Sequence, residues 1–136
     1  MNVDEARAFL HEHRRGVLST FRGDGMPQLS PVLVGLDADG RATVSTREPA
    51  YKVRNLRRDP RATLCVFTDG FFGPWVQVEG TARIVSLPDA MELLVDYYRN
   101  VAGEHPNWDD YRTAMERERR CLIRIRIDRA GPSVSG

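Results

Sequence analysis

Lys52 is the only lysine of the chain, and it lies in the stretch VSTREPAYKVRNLRRDPRATL, residues 44–64. A strand-like run that ends near Ser45 and Thr46 is followed there by a helix-like run. A helix that begins directly after a strand directs its free N–H groups back at the strand end, and hydroxyl groups with a lysine beside them can bind a phosphate. Asn55, three residues after Lys52, lies on the same helix face. The alternative is a basic helix that only faces solvent.

Two further residues indicate a ligand or an interface. Pro31 interrupts the strand-like run PQLSPVLVG. Because proline has no N–H to donate, this strand must be bulged or lie at a sheet edge, which leaves backbone groups free. Trp75 is a large aromatic residue on the polar face of its strand, so it should cover a ligand or another subunit, or pack against the Phe71–Phe72 loop.

Motifs for other chemistries are absent from the sequence. There is no G-x-S-x-G, no Walker motif and no C-x-x-C. His11 and His13 lie on different sides of a helix, so no metal site is predicted. The formal net charge of +1 and the lack of an RNA or DNA motif argue against a nucleic-acid partner.

The composition is typical of a soluble globular protein, with 41% hydrophobic and 29% charged residues. A length of 136 residues suits one domain over residues 1–136. No signal peptide, membrane span or membrane partner is expected. Cys65 and Cys121 lie far apart in apolar runs and are expected to be buried free thiols in a reducing cytoplasm.

Alternating apolar and polar residues predict the strands. These are GVLSTFR, PQLSPVLVGL, RATVST, RATLCVFTD, PWVQVEGTARIVS and CLIRIRID. The second and third runs flank DADG and are expected to pair as a hairpin. In the last run, Cys121 and the isoleucines are predicted to face inward and Leu122 outward.

Helical spacing and capping residues predict the helices. They are VDEARAFLHEHR, EPAYKVRNLRRDP, SLPDAMELLVDYYRNVAG and a run that starts near NWDDYRTAM. Pro49 is placed in the first turn of the second helix, which Pro60 ends. Ser86 and Asn107 are the predicted N-caps of the third and fourth. About six antiparallel strands with helices around them predict a small closed barrel.

At these residues the chain resembles the split-barrel flavin and deazaflavin oxidoreductases of the pyridoxamine 5'-phosphate oxidase-like superfamily, and in particular the coenzyme F420-dependent enzymes of actinobacteria. The matching segments are GVLSTFRGDGMPQLSPV, VSTREPAYKVRNLRRDPRA, WVQVEGTA and YYRNVAGEHPNWDDYRTAM. The resemblance implies a mainly β (α+β) fold, a six-stranded antiparallel split β-barrel (FMN-binding split barrel) with flanking helices. It also implies a homodimer with the cofactor at the subunit interface.

The resemblance further implies roles for individual residues. One set would line the cofactor ring and ribityl chain, largely through backbone groups, and a second would border the ribityl chain and phosphate. Lys52 would bind the phosphate, Asn55 would support the adjoining loop and helix, and the strand of Trp75 would edge the groove. The implied cofactor-binding residues are Gln28, Ser30, Pro31, Val32, Ser45, Thr46, Lys52, Asn55, Trp75 and Val76.

The sequence departs from its relatives at two places. Ala50 stands where they commonly have an arginine as a second phosphate ligand, and Arg47 or Arg54 would have to compensate. The run LSPVLV has none of the basic residues that FMN oxidases use there, which argues against tight FMN binding. Arg124 and Arg126 could either reach the anionic tail of F420 across the dimer or carry surface charge.

The function that the resemblance implies is an F420H2-dependent reductase, which transfers a hydride from the deazaflavin C5 to a conjugated or quinone-like small molecule. The cofactor carries this chemistry, so no catalytic side chain is nominated. Two alternatives remain open. One is an FMN-dependent oxidoreductase or flavin reductase, and the other is a non-catalytic F420-binding protein.

Overall fold

The computed structural model describes residues 1–131, in which seven strands form one antiparallel sheet. The strands are β1 (Arg15–Phe21), β2 (Pro27–Leu33), β3 (Gly35–Leu36), β4 (Ala42–Arg47), β5 (Arg61–Phe67), β6 (Trp75–Ser86) and β7 (Arg120–Ala130). The helices are α1 (Val3–Glu12), α2 (Tyr51–Arg58), α3 (Met91–Ala102) and α4 (Trp108–Arg117). The strands lie in the order β2-β1-β5-β6-β7-β4-β3.

The sheet curls into a barrel that stays open between β2 and β4. The run predicted as one strand is divided at the buried Val34 into β2, which pairs with β1, and β3, which pairs with β4. In the described chain, β2 and β4 approach within 8 Å between Cα atoms but are not hydrogen-bonded neighbours. The prediction of a mainly β split barrel is confirmed, with one short strand more than expected.

The predicted hairpin around DADG is therefore wrong for β2, because only the two residues of β3 pair with β4. Gly35 marks the change of direction. A Cβ atom at this position would lie 2.6 Å from the Thr43 hydroxyl oxygen and 2.8 Å from the Asn100 side-chain oxygen. Glycine thus lets the chain, after it leaves β2, pass close to β4 and α3 as β3.

The barrel core consists of the inward-facing residues of neighbouring strands. Leu18, Leu64, Ile123 and Ile125 are all at most 1% exposed, as expected for strands whose successive side chains alternate between two faces. Leu122 was predicted to face outward, but it is also 1% exposed. The reason is a second apolar cluster, in which α3 and α4 cover the outer face of β7.

The helices differ from the predictions mainly at their first residues. α1 begins with a capping box between Asn2 and Glu5, and Asn107 caps α4 as predicted. α2 begins after Ala50, so Pro49 lies before the helix rather than in its first turn. Ser86 is not the N-cap of α3, because it ends β6 and its hydroxyl donates to a Glu48 oxygen at 2.6 Å. Within residues 1–131, no helix is long and apolar enough to cross a membrane.

Candidate functional site

The split of the barrel exposes two free strand edges that face each other. β2 is hydrogen-bonded only to β1, and β3 is too short to cover Ser45 and Thr46 at the end of β4. α2, which carries Lys52, follows β4 after a short turn. The fold therefore brings β2, the end of β4 and the start of α2 to one opening. Most of the predicted cofactor residues lie on these three elements.

On β2, the predicted residues occupy both faces of the strand. Gln28, Ser30 and Val32 are half-buried and lie opposite the inward-facing residues of β1, such as Leu18. Pro31 is exposed on the outer face. Its pairing register with β1 is unbroken, so the proline is accommodated by the free edge and not by a bulge.

Asn55 connects α2 to β1 and to β2, of which β2 borders the split. Its side chain is 5% exposed, and its Nδ2 donates to the Thr20 hydroxyl at 3.1 Å and to the Gln28 side-chain oxygen at 3.0 Å. Its Oδ1 accepts a bond of 3.0 Å from Arg58. Because this amide is fully engaged, Asn55 acts as a positioning residue that holds Gln28 and the helix of Lys52 in place.

Lys52 is a half-buried cation without a carboxylate partner among residues 1–131. Burial lowers the pKa of its ammonium group, and the nearby Arg120 guanidinium lowers it further. Lys52 also lies close to Cys121, which pairs across the strands with Thr46. Its charge is thus placed at the β4 side of the split, where a bound anion would favour it.

The positive charge around Lys52 exceeds the negative charge. Arg47 and Arg120 are direct cross-strand partners in β4 and β7, an arrangement that is unfavourable for like charges. Arg120 forms an ion pair of 3.0 Å with Glu118, whereas Arg47 donates only to the Glu118 carbonyl oxygen at 3.3 Å. The Glu118 carboxylate therefore pairs with Arg120 alone, Glu48 is taken up by Arg57, and Arg47 and Lys52 have no carboxylate partner among residues 1–131. This surplus fits an anionic ligand group.

Two residues near the start of α2 bear on the missing arginine at position 50. Ala50 is the N-cap and supplies no side-chain hydrogen bond to the first turn. Arg54 stacks its guanidinium over the ring of Tyr51, 5.7 Å from the centroid. Arg47 lies opposite Arg120 and is part of the charge surplus described above. That Arg47 or Arg54 replaces the usual arginine stays a prediction.

The remaining predicted residues lie away from the charged junction. Val76 is 1% exposed in the barrel core, so only its main chain can face a ligand. Trp75 lies opposite Phe67 at the other end of the barrel. Arg124 forms ion pairs with Asp37 and Asp39, and Arg126 with Asp128, so both have partners within the chain.

Sequence reasoning missed Tyr97 and the walls of a groove. The Tyr97 hydroxyl on α3 donates to the Leu33 carbonyl oxygen at 2.8 Å and so fixes the end of β2 at the split. Burial raises the pKa of this hydroxyl. A groove of about 380 Å³ lies at the same end of β2. Its lining residues are Arg15, Gly16, Pro31, Val32, Leu33 and Phe67. Pro31 and Val32 were among the predicted cofactor residues, whereas no local pattern marks the other four, because the groove forms only through the strand order.

A larger cavity of about 590 Å³ lies between β4 and the helices α3 and α4. Its lining residues include Ser45, Tyr97, His105, Tyr111 and Arg120. Among residues 1–131 there is no group of three or more histidine, cysteine or acidic side chains that could hold a metal ion. The chemistry of the site is thus that of a cationic junction joined to an apolar groove.

A split antiparallel barrel with a cationic strand-to-helix junction at its opening is the architecture that the sequence resemblance implies. The model of the pyridoxamine 5'-phosphate oxidase family matches residues 3–132, and the chain belongs to this family. The predicted family and its flavin-type cofactor class are thereby confirmed.

Three known proteins are similar to this chain in sequence or in structure. It is 32% identical over 129 residues to the F420H(2)-dependent biliverdin reductase of Mycobacterium tuberculosis (strain CDC 1551 / Oshkosh), which covers 93% of this chain and 84% of that protein. The conserved hypothetical protein Rv2991 from Mycobacterium tuberculosis is 26% identical, with a TM-score of 0.77 over 100% of this chain and 93% of the other. A solved F420 reductase, 20% identical, shares the fold with a TM-score of 0.71 over 92% and 94% of the two chains. The prediction of an oxidoreductase is confirmed by the first of these relatives.

Proposed function

We propose that the protein is an F420H2-dependent reductase of a conjugated or quinone-like small molecule. The observation that carries this proposal is the surplus of positive charge at the split, where Lys52 and Arg47 have no carboxylate partner among residues 1–131. Such a junction fits the phosphate of the cofactor. The similarity to an F420H(2)-dependent reductase supports the deazaflavin form.

When bound, F420H2 supplies the hydride that reduces the acceptor, and a proton from solvent completes the two-electron reduction. The residues of the chain bind the cofactor and orient it. Lys52 neutralises the phosphate, Ser45 and Thr46 border it, and the free edge of β2 offers main-chain groups to the ring and ribityl chain. Asn55 keeps Gln28 and α2 in register through its hydrogen bonds.

The distance between the charged junction at Lys52 and the apolar groove at the end of β2 supports this orientation of the cofactor. Gln28, near the junction, and Val32, in the groove, lie four residues apart on β2, or roughly 13 Å at the rise of a strand. A phosphate at Lys52 would therefore leave the ring near Pro31 and Val32. These two residues line the groove of about 380 Å³.

The proposed enzyme is a homodimer in the cytoplasm. The outer face of β2 exposes Leu29 at 65% and Leu33 at 49%. Pro31 continues this face, and its neighbours across the sheet are Val17 on β1 and then Cys65 on β5. The exposure of this apolar face supports the proposed dimer, in which a second copy would cover it. Cys65 is a free thiol, as suits a reducing compartment.

The cofactor is tested by fluorescence titration of the purified protein with F420 and, separately, with FMN. Lys52→Ala should raise the Kd for F420 by about tenfold to a hundredfold, because a charge-assisted hydrogen bond contributes about 1.5–3 kcal/mol. Arg129→Ala is the matched control. It removes one exposed positive charge at the far end of β7, roughly 30 Å from Arg120 at the rise of a strand.

Each result of this titration has a distinct meaning. F420 binding that exceeds FMN binding and weakens only in the Lys52 variant supports the proposal. Tighter binding of FMN identifies an FMN-dependent oxidoreductase or flavin reductase instead. If F420H2 binds but is not oxidised in single turnover with quinone acceptors, the protein is a non-catalytic F420-binding protein.

A further inference from the structure

The loop between β5 and β6 presents two phenylalanine rings to solvent. Phe71 is 76% exposed and Phe72 is 96% exposed. Hydrogen bonds within the loop hold them there, since the Gly73 amide donates to the Gly70 carbonyl oxygen at 2.9 Å and the Thr68 hydroxyl to the same oxygen at 3.1 Å. Adjacent exposed rings on an internally bonded loop indicate a binding role.

Two contacts join this loop to the apolar groove at the end of β2. The ring of Phe67, which lines the groove, lies 6.4 Å from the ring of Phe71, and Phe71 lies 5.0 Å from Phe72, both edge to face. Arg15, the one charged residue that lines the groove, pairs with Asp69 of the loop at 3.6 Å. The three rings therefore continue one wall of the groove outward.

The two walls of the groove have different origins. Pro31 and Val32 belong to β2, to which the proposed function assigns the cofactor ring. Phe67 lies two strands away on β5, and the strand between them is β1. Phe67 and Leu33 are both in register with Arg15, so they lie on one face of the sheet and the groove runs along this face from β2 to β5. A planar molecule that stacks on a ring held at the free edge of β2 would therefore reach along this face to Phe67 and to the exposed rings beyond it.

We propose that Phe71 and Phe72, with Phe67, form the acceptor-binding wall of this enzyme and select uncharged, planar, conjugated acceptors. This inference rests on the proposed function and names the substrate class of that site. The choice of an uncharged acceptor follows from Arg15, whose charge Asp69 already balances. The choice of a planar acceptor follows from the rings, which bind flat π-systems by offset or edge-to-face stacking.

The test uses the double variant Phe71→Ser/Phe72→Ser, and Phe71→Leu/Phe72→Leu as the matched control that keeps an apolar surface without the rings. Both sites are exposed, so folding is retained. The probes are a two-ring naphthoquinone and a one-ring benzoquinone. The measurements are KM and kcat with F420H2, the Kd for F420, the mass in solution, and quenching of tryptophan fluorescence by naphthoquinone without cofactor, since Trp75 lies opposite Phe67.

In the serine variant, the KM for naphthoquinone and the Kd obtained from the quenching titration should both rise on the order of tenfold, because two aromatic contacts are lost. The leucine variant should have a KM for naphthoquinone between those of the wild type and the serine variant. The KM for benzoquinone should change less. The kcat, the Kd for F420 and the mass in solution should stay the same in both variants. An unchanged KM with unchanged quenching overturns the proposal. A loss of the dimer assigns the rings to the subunit interface, and a loss of F420 affinity assigns them to the cofactor site; either result also overturns it.

The quenching titration keeps the two proposals separable. If the wild type does not bind F420 but naphthoquinone still quenches it in a phenylalanine-dependent way, the proposed function fails and the ring wall stands as a binding site for planar molecules. If F420H2 binds and is oxidised while both variants behave as the wild type, the proposed function stands and the proposal of the phenylalanine wall is refuted.

Discussion

Asn55→Ala is the substitution that most directly tests how the site is held together. The wild-type amide makes three side-chain hydrogen bonds from a nearly buried position and joins α2 to β1 and β2. Alanine would leave the Thr20 hydroxyl, which is 1% exposed, without its donor, and would release the Gln28 side chain. The change therefore loosens the mouth of the split without touching the charge at Lys52.

The expected loss of unfolding free energy is about 3 kcal/mol. Each hydrogen bond contributes about 0.5–1.5 kcal/mol net, and a buried group left without a partner costs about 1–3 kcal/mol. The bond from Arg58 counts at the low end of its range, because the Arg58 side chain is exposed. With a urea m value of about 1–3 kcal/mol/M, the unfolding midpoint should fall by about 1 to 3 M.

Urea unfolding followed by circular dichroism measures this loss, with Asn107→Ala as the control. Asn107 is an exposed N-cap with one side-chain bond of 3.1 Å to the Asp110 amide, and its removal should cost about 1 kcal/mol. If Asn55→Ala loses no more stability than Asn107→Ala, the hydrogen-bond network does not anchor α2. Asn55 would then have to be reconsidered as a direct ligand of the cofactor.

Two further predictions follow from shifted pKa values. The side-chain hydrogen bond from Arg61 lowers the pKa of Asp59 to about 2, so its stabilisation is present above the usual carboxyl pKa and is lost as the pH falls toward 2. In urea unfolding, Asp59→Asn should be less stable than the wild type at pH 6 and equal to it near pH 2; a difference that persists at pH 2 would contradict this account. Burial raises the pKa of Tyr111 to about 12, and its hydroxyl donates to the Leu94 carbonyl oxygen at 2.7 Å. Tyr111→Phe should remove the last tyrosine to ionise in an absorbance titration and cost about 1–2 kcal/mol, whereas unchanged stability would mean that this bond contributes nothing.

Residues that act through local patterns were predictable from the sequence. Strand alternation located the barrel strands because inward and outward side chains differ in polarity along any half-buried strand. Asn107 was recognised as a cap because an N-cap side chain bonds within its own first turn. Pro31 indicated the edge strand because the lack of an N–H is a property of the residue itself.

Residues that depend on strand pairing were not predictable in the same way. Leu122 alternates with inward-facing isoleucines and was therefore predicted to face outward. It is buried nevertheless, because α3, which is remote in sequence, and α4, which is adjacent, both cover it. The opposition of Arg47 and Arg120 arises because β4 and β7, far apart in the chain, are neighbours in the sheet. Burial and charge balance at such positions depend on the neighbours that the topology supplies.

The sequence by itself determined the class of the fold, the place of Lys52 at a strand-to-helix junction and the family to which the chain belongs, because each rests on residue types at short spacing. The tertiary structure decided where the barrel opens, since the division at Val34 depends on close packing of Gly35 against Thr43 and Asn100. It also decided which charges stay unpaired at that opening and which aromatic rings meet the groove. The opening, the unpaired charges and the ring contacts all depend on residues that are far apart in the sequence and meet only in the folded protein.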